Sequence, residues 1–444
     1  MLRQVEKKMP GERLPSDKQL SDLAGISYVT VQKAVNELAR EGYLRREVGR
    51  GTFVAERATV KNKLRCYVKG VPENRSFSRT LLTWAEQTFD SEKSCLEISE
   101  APGKWYGGLE SSQWISPDAD LVELDGISRA YKGIHGDIFF PLNQSLDESH
   151  LDVFSVLRPD YFSHFSRNGL LYTATPYFLP SILLYNPTVF SELKLAPPDT
   201  RLDWDGFFEL CRKIASVGLH PIHMGRMLPF IFQNEGEIFS PNRNECLVDS
   251  PACHDAFSFY LKILRLDPAS PSLIGFDFWD YYGELFIQNR LAMRIGTPDD
   301  LHFFLQKKIP VGATLLPKGR RRATVVAEQS YAVLASSTQA NEGGKFLSHL
   351  FSSALQTRIA DETYYPPAHV RIFDTKCREN TDPLREIIYR SMTDGFFIPE
   401  LKSGRLNETL RTGMNQVLLE KKSLTQALKD MKETIQEELK NEKA

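Results

Sequence analysis

Hydrophobic positions follow two rhythms along this chain. Between residues 16 and 54 the rhythm is helical and then alternating. Ser16 precedes a short apolar-periodic run and Gln19 follows three residues later, the spacing of a capping box. Leu20 and Leu23 are expected to point inward, and Gly25 supplies the left-handed residue that a sharp turn needs. Ser27 is a second N-cap candidate. Beyond it Val31, Ala34, Val35 and Leu38 fall at i, i+3, i+4 and i+7, one apolar helical face that leaves Tyr28, Val29, Gln32, Lys33 and Asn36 outward. Gly42 is expected to end that helix. Leu44–Glu47 and Thr52–Val54 then read as two strands around Val48-Gly49-Arg50-Gly51, a hairpin.

From Leu64 onward the pattern alternates short apolar runs with helical ones, which predicts an α/β fold. Strands are expected at Leu64–Val71, Cys95–Ile98, Asp120–Leu124, Leu170–Thr175, Ile182–Tyr185, Leu291–Ile295 and Thr324–Leu334. Helices are expected at Ser76–Phe89, Trp204–Ala215 and Cys253–Leu266, with one long charged helix over 406–440. Trp84 and Trp204 sit on helices with apolar partners, so both are expected to pack. The polar stretch 57–63, RATVKNK, reads as a linker. The expected organisation is therefore a head at 1–56, a linker at 57–63 and a large region at 64–444.

Charge sharpens this division. The chain of 444 residues carries a net charge of only −2. Residues 1–56 hold ten Lys/Arg against eight Asp/Glu, a net of +2, and 57–65 add four basic residues and no acidic one. Basic character is thus local to the head, where a polyanion would be met. A helix-turn-helix sets the N-terminal end of its second helix against base edges in the major groove. Here that end is Ser27-Tyr28-Val29-Thr30, while Lys18, Thr30, Lys33, Arg45, Arg46 and Arg50 are placed for phosphate.

The head resembles the GntR family of winged helix-turn-helix transcription regulators. The resemblance rests on Leu14-Pro15-Ser16-Asp17, on Ser27-Tyr28-Val29-Thr30-Val31 and on Gly49-Arg50-Gly51-Thr52-Phe53-Val54, in that order. It implies that Lys18 contacts phosphate and that Gly51 lies at a wing tip entering the minor groove. Tyr28 and Gln32 stand where the family often has arginine, and only Met1–Lys8 precede Pro10-Gly11, where relatives carry a longer first helix.

Five further blocks resemble family 1 extracellular solute-binding proteins, the receptors of ABC sugar importers. They are Gly169-Leu170-Leu171-Tyr172 through Asn186-Pro187, Pro197-Pro198-Asp199-Thr200 to Trp204-Asp205, Phe286–Met293 closing on Gly296, Val311-Gly312-Ala313 to Tyr331-Ala332-Val333, and Lys345–Gln356 followed by Tyr365-Pro366-Pro367. The two resemblances together imply a small α+β winged helix-turn-helix head followed by a two-lobed α/β periplasmic-binding-protein type II fold. After Gly296 relatives often place an aromatic residue; here stand Thr297-Pro298-Asp299-Asp300.

Such folds bind ligand in loops at the C-terminal ends of strands. Sugar sites combine aromatic faces with a few carboxylates or arginines. With 16 Tyr, 27 Phe and 5 Trp in the chain, loop position must narrow the choice. The candidates are Trp105, Tyr106, Asp125, Tyr177, Phe178, Trp279, Asp299, Glu328, Tyr331 and Arg405. Arg320-Arg321-Arg322 reads as a solvated loop.

Six cysteines at 66, 95, 211, 246, 253 and 377 include no C-x-x-C pair, so neither a disulfide framework nor a zinc site is expected. His220-x-x-His223 and Cys253-His254 match no usual metal spacing. There is no G-x-S-x-G, P-loop lysine motif or H-E-x-x-H, and no catalytic residue or cofactor is expected. The N-terminus shows no apolar leader and no segment reaches a membrane-spanning length. The expectation is a cytoplasmic homodimer that binds a double-stranded DNA operator, has no membrane partner, and responds to a small-molecule effector of carbohydrate type. An amino acid, polyamine or peptide ligand stays open as an alternative, as does a ligand-free binding or scaffold module.

Overall fold

The computed structural model describes residues 8, 11–40, 43–47, 49–55, 62–68, 77–89, 94–100, 115, 118–125, 127–149, 151, 159–267 and 278–442. The chain separates into two compact units, residues 1–64 with 90–97, and residues 65–89 with 98–444.

In the first unit, helix α1 spans Asp17–Ala24 and α2 spans Tyr28–Arg40. Ser16 caps α1 through a capping box with Gln19, and Gly25 closes it at φ 65°. Ser27 accepts from the Thr30 amide at 3.2 Å and so caps α2. Strand β1, Leu44–Glu47, pairs antiparallel with β2, Gly51–Val54. The segment before α1 runs along β2, with the Leu14 amide donating to the Thr52 carbonyl at 2.8 Å. Leu14, Leu20, Val31, Val35, Leu38, Leu44 and Val54 form the core of this head. Leu23 does not join them: it is 78% exposed. One inward leucine suffices for an eight-residue helix, because Leu20 alone reaches the Val31 and Val35 face. Gly42 lies outside the described residues.

Beyond the hairpin of the head, the described strands form two larger sheets and a two-stranded ribbon of Ser166–Arg167 and Leu170–Leu171. Strands β3 (Asn62–Val68), β4 (Ser94–Glu100), β5 (Leu121–Asp125), β6 (Ser166–Arg167), β7 (Leu170–Leu171), β8 (Phe178–Pro180), β9 (Ile182–Tyr185), β10 (His220–His223), β11 (Leu291–Gly296), β12 (Gly312–Thr314), β13 (Thr324–Val333) and β14 (Gly395–Phe397) follow in order. One sheet runs β14-β13-β5-β3-β4 with β8 also on β13; the other runs β10-β11-β9-β12. All ten residues of β13 are buried. Its first part pairs with β14 and β8, and its last five residues pair with β5. Together with the β8–β9 passage it carries the chain between the two lobes.

Helices cover both faces of the second sheet, and β9 shows why its sequence is apolar throughout. Leu183 faces one core while Ile182 and Leu184 face the other. The helix Trp204–Ala215 begins where Asp203 accepts from the Gly206 amide. Its Trp204 stacks on Phe259 at 4.2 Å and donates to Gln233.

The charged tail over 406–440 is not one helix. It is two, Leu406–Leu418 and Leu424–Asn441. Glu420 takes φ 56° and Ser423 caps the second helix, so the chain reverses between them. Their apolar faces, including Leu410, Met414, Met431 and Ile435, are buried in the core of the second lobe. No helix among the described residues is long and apolar enough to cross a membrane.

Candidate nucleic-acid interface and ligand cleft

The head exposes several cationic side chains. Lys18, Lys33, Arg45, Arg46 and Arg50 are all exposed, as are Ser27, Tyr28 and Thr30, while Gln32 is half-buried. Capping engages the hydroxyls of the first turn of α2: Ser27 Oγ and Thr30 Oγ1 lie 2.7 Å apart. The first turn of α2 holds no acidic residue. Wing arginines are paired with carboxylates, Arg46 with Asp17 at 2.9 Å, and Arg45 and Arg50 with Glu47 at 2.8 and 3.4 Å. These are exposed pairs of small net worth, which a phosphate can replace.

Gly51 holds φ +120°, and a Cβ there would stand 2.7 Å from Arg13 Nε. Arg13 bridges to Phe53 across the sheet. Its guanidinium therefore lies over the wing, a basic residue that sequence reasoning missed. The signal was available: Arg13 directly precedes the Leu14-Pro15-Ser16-Asp17 block.

In the second unit the ligand candidates fall into separate groups. Trp105 and Tyr106 lie outside the described residues. Trp279 belongs to the helix Phe278–Ile287, and Asp125 ends β5 in register with Gln329. Arg405 stands exposed at the start of the helix Leu406–Leu418.

Tyr177 and Tyr331 have no exposed surface. Tyr177 packs against Phe77 and Tyr365 with ring centroids 5.4 and 4.7 Å away. Ser78 hydrogen-bonds the buried carboxylate of Glu123 and lies 3.5 Å from the Tyr177 hydroxyl. Tyr365 donates to Asp299 at 2.7 Å, which brings Asp299 into this cluster. Burial pushes the hydroxyls of Tyr177, Tyr331 and Tyr365 well above the usual tyrosine range. In this arrangement Tyr177 and Tyr331 offer a ligand no surface. The unusual block after Gly296 has a structural use. Thr297 and Asp300 form a capping box, and Asp300 pairs with buried Arg294 at 2.9 Å.

Phe178 and Glu328 belong to a second group, at the end of β5 and beside the crossing strands. The helix Ile127–His135 begins there. Phe178 is also buried, against Tyr161 and Phe397. Tyr131, His164 and Phe397 are half-buried. His164 stacks on Phe397 at 5.4 Å, and its Nδ1 lies 3.4 Å from the Tyr131 hydroxyl. Ser128 donates to Glu400 at 2.5 Å, while Arg243 donates to the Glu400 carbonyl at 2.6 Å. Ser128 belongs to the first lobe, and Glu400 leads directly into Leu401 of the second-lobe core.

Burial pushes the Tyr131 hydroxyl up to about 12, with Arg243 opposing and Glu400, Glu328 and Glu442 adding to the rise. Burial, aided by Lys402, Arg167 and Arg243, lowers His135 to about 4. Aromatic edges, carboxylates and cations from both lobes thus meet at one strand end. Tyr131, His135, His164, Phe397, Arg243 and Glu400 were not among the sequence candidates. Only the first two could have been found, since they lie on the helix that follows Asp125-Gly126.

Basic side chains at 321–322 serve the fold. Arg321 donates to the Phe232 carbonyl at 2.7 Å and lies over Phe396, and Arg322 donates to the Thr200 carbonyl. His220 is bonded to Asp267 at 2.7 Å and His223 stacks on Tyr282.

Residues 6–54 match the family model of bacterial regulatory proteins, gntR family. Residues 117–357, a little over half of the chain, match that of bacterial extracellular solute-binding proteins. The head is similar to the HTH-type transcriptional regulator Rv0792c of Mycobacterium tuberculosis, 44% identical over 70 residues, or 16% of this chain and 25% of that protein. It is also 33% identical over 57 residues to the uncharacterized HTH-type transcriptional regulator YhcF of Bacillus subtilis, covering 13% of this chain and 47% of that one. The chain therefore spans about a quarter of the first of these relatives and about half of the second.

Three solved structures share the larger fold. An ABC substrate-binding protein from Listeria monocytogenes in complex with cycloalternan superposes with TM-score 0.71 at 17% identity, over 85% of this chain and 98% of that one. A solute-binding protein from Thermotoga lettingae bound with α-D-tagatose gives 0.72 at 18%, over 85% and 100%. Maltose-bound MalE3 of T. maritima gives 0.68 at 15%, over 84% and 98%.

Proposed function

We propose that this chain, which belongs to the bacterial extracellular solute-binding protein family and carries a gntR-family segment at its head, is a DNA-binding transcription regulator governed by a carbohydrate. It is a binding protein and not an enzyme, and it acts in the cytoplasm, where its operator is. The observation that carries the reading is the joining, in one chain, of an exposed cationic winged helix to a two-lobed solute-binding fold.

Effector enters between the lobes at the C-terminal end of β5. Asp125, Glu328 and Arg405 take its hydroxyls, with Trp105, Tyr106, Trp279 and the half-buried faces of Tyr131 and Phe397 against its rings. Tyr177, Phe178, Tyr331 and Asp299 support those positions from behind. Ligand shifts the lobes only by its difference in affinity for their open and closed arrangements. Two heads of a homodimer must sit about one DNA turn apart to read a palindrome, so a lobe movement of a few ångströms alters operator affinity. Lys18, Lys33, Arg45, Arg46 and Arg50 hold the phosphates. Tyr28, Val29 and Gln32 face the bases from a helix start that Ser27 and Thr30 cap, and Gly51 lets the wing approach the minor groove.

A thermal-shift screen of the full chain against mono- and oligosaccharides tests the effector class, since a ligand bound only by the folded state raises the melting temperature. A carbohydrate that raises it supports the reading; stabilisation by amino acids, polyamines or peptides alone defeats the carbohydrate assignment.

A further inference from the structure

The reading end of the head is apolar as well as cationic. Leu23 is 78% exposed, Ile26 44%, Tyr28 48% and Val29 59%. These four lie at the end of α1, in the turn and in the first two positions of α2. An exposed apolar cluster on a small domain marks a surface that is covered in use. Lys18, Lys33, Arg45, Arg46 and Arg50 are exposed on the same small unit, and their charge suits a polyanion as the covering partner.

Guanine is read in the major groove by Arg or Lys donating to O6 and N7, adenine by Asn or Gln at N6 and N7, and thymine by apolar contact with its C5-methyl group. From Ile26 to Gln32 this chain carries no arginine or lysine. Ser27 and Thr30 turn their hydroxyls toward each other, and Ser27 Oγ also accepts from the Thr30 amide as the cap. What remains to meet base edges is the apolar surface of Tyr28 and Val29 and the amide of Gln32. Lys33 lies one turn beyond Val29, toward the backbone of the duplex.

We infer that the head reads an A·T-rich half-site, with Val29 and Tyr28 against thymine methyl groups and Gln32 bonded to an adenine. This rests on the reading of the chain as a DNA-binding regulator, and it names the sequence class that reading leaves open. The same geometry says what the head does not recognise: a half-site whose central contacts are guanines.

Selection of DNA by the full chain from a random duplex library tests it. The selected half-site should place at least two adjacent A·T pairs at its core. Replacing the core thymines by deoxyuridine removes only the methyl groups, and it should weaken binding by roughly fourfold per methyl lost. Gln32→Arg should move the preference at one position from adenine to guanine by about tenfold or more. Val29→Ala should weaken the natural site while making binding indifferent to the uracil exchange. A selected core of G·C pairs, or a natural site insensitive to uracil, overturns this inference and leaves the regulator reading standing. Failure to enrich any sequence overturns both. The uracil arm alters only the DNA, so its outcome does not depend on a variant folding.

Discussion

Removing the carboxylate of Glu400 should loosen the passage into the second lobe by an amount the structure sets. Glu400 is fully buried. Its Oε1 accepts from the amides of Leu401 at 2.9 Å and Leu406 at 2.8 Å, and its Oε2 from Ser128 across the lobes at 2.5 Å. Leu401 and Leu406 are themselves 0% and 1% exposed, so Glu400→Ala leaves two buried amides without an acceptor. Each costs about 1–3 kcal/mol, giving roughly 2–6 kcal/mol together; relief of the buried charge brings the loss toward the lower end near neutral pH. Glu400→Gln keeps Oε1 as acceptor and removes the charge.

Burial raises the Glu400 pKa above its unfolded value. Below the unfolded pKa both states are protonated and the shift has no effect. As pH rises toward the folded pKa, the folded state keeps a proton the unfolded state has released, and stability falls. Glu400→Gln escapes that fall, so its advantage over the parent should open as pH rises from the ordinary carboxylate range and then level off. Urea unfolding followed by tryptophan fluorescence, with hydrogen exchange of the amides at 401 and 406, reads both effects. Glu400→Ala within about 1 kcal/mol of the parent refutes the hydrogen-bond argument. A pH-independent gap between Glu400→Gln and the parent refutes the burial argument.

Arg50→Ala should weaken operator binding on every sequence and reduce the slope of log K against log salt by about 0.9, the signature of one lost phosphate contact; anisotropy titrations at several salt concentrations measure it. Gly51→Ala puts a side chain at a φ of +120°, where L residues are strained, and displaces the guanidinium of Arg13 that lies 2.7 Å from the new Cβ; the strain costs about 1–3 kcal/mol, and operator affinity should drop while helix content by circular dichroism holds. His135, lowered to about 4 mainly by burial, contributes stability that is present above its ordinary value near 6.5 and lost as pH falls through that value toward 4. His135→Gln should therefore narrow the difference in urea midpoint between pH 7.5 and pH 4.5.

Local signals made the head readable. Ser16 with Gln19, Gly25, Ser27 and the Val31–Leu38 face each act within one turn of chain, and each takes its expected role. Leu23 escaped because periodicity marks which residues share a face but not how far the neighbouring element extends over it. In the larger region, strands such as Leu291–Gly296 and Thr324–Val333 were legible as apolar runs. The tail was misjudged because its break depends on a positive φ at a glutamate, Glu420, which composition does not announce.

The cleft was the least legible part. Tyr177 and Tyr331 have the residue type of ligand contacts and lie at the expected lobe crossovers, yet tertiary packing buries them with Ser78, Glu123 and Tyr365, residues far away in sequence. Conversely, Glu400 and Arg243 become neighbours of Ser128 and Tyr131 only when the two lobes meet. Long-range convergence of that kind leaves no local spacing to read.

The central claim is coupling between the carbohydrate cleft and the operator. Its most direct test is the affinity of the full chain for its selected operator, measured by fluorescence anisotropy at fixed salt, with and without a saturating carbohydrate taken from the thermal-shift screen. A shift of at least about tenfold in Kd, in either direction, is the expected result, equivalent to about 1.4 kcal/mol of coupling. An operator affinity unchanged while calorimetry shows the carbohydrate fully bound would contradict the account.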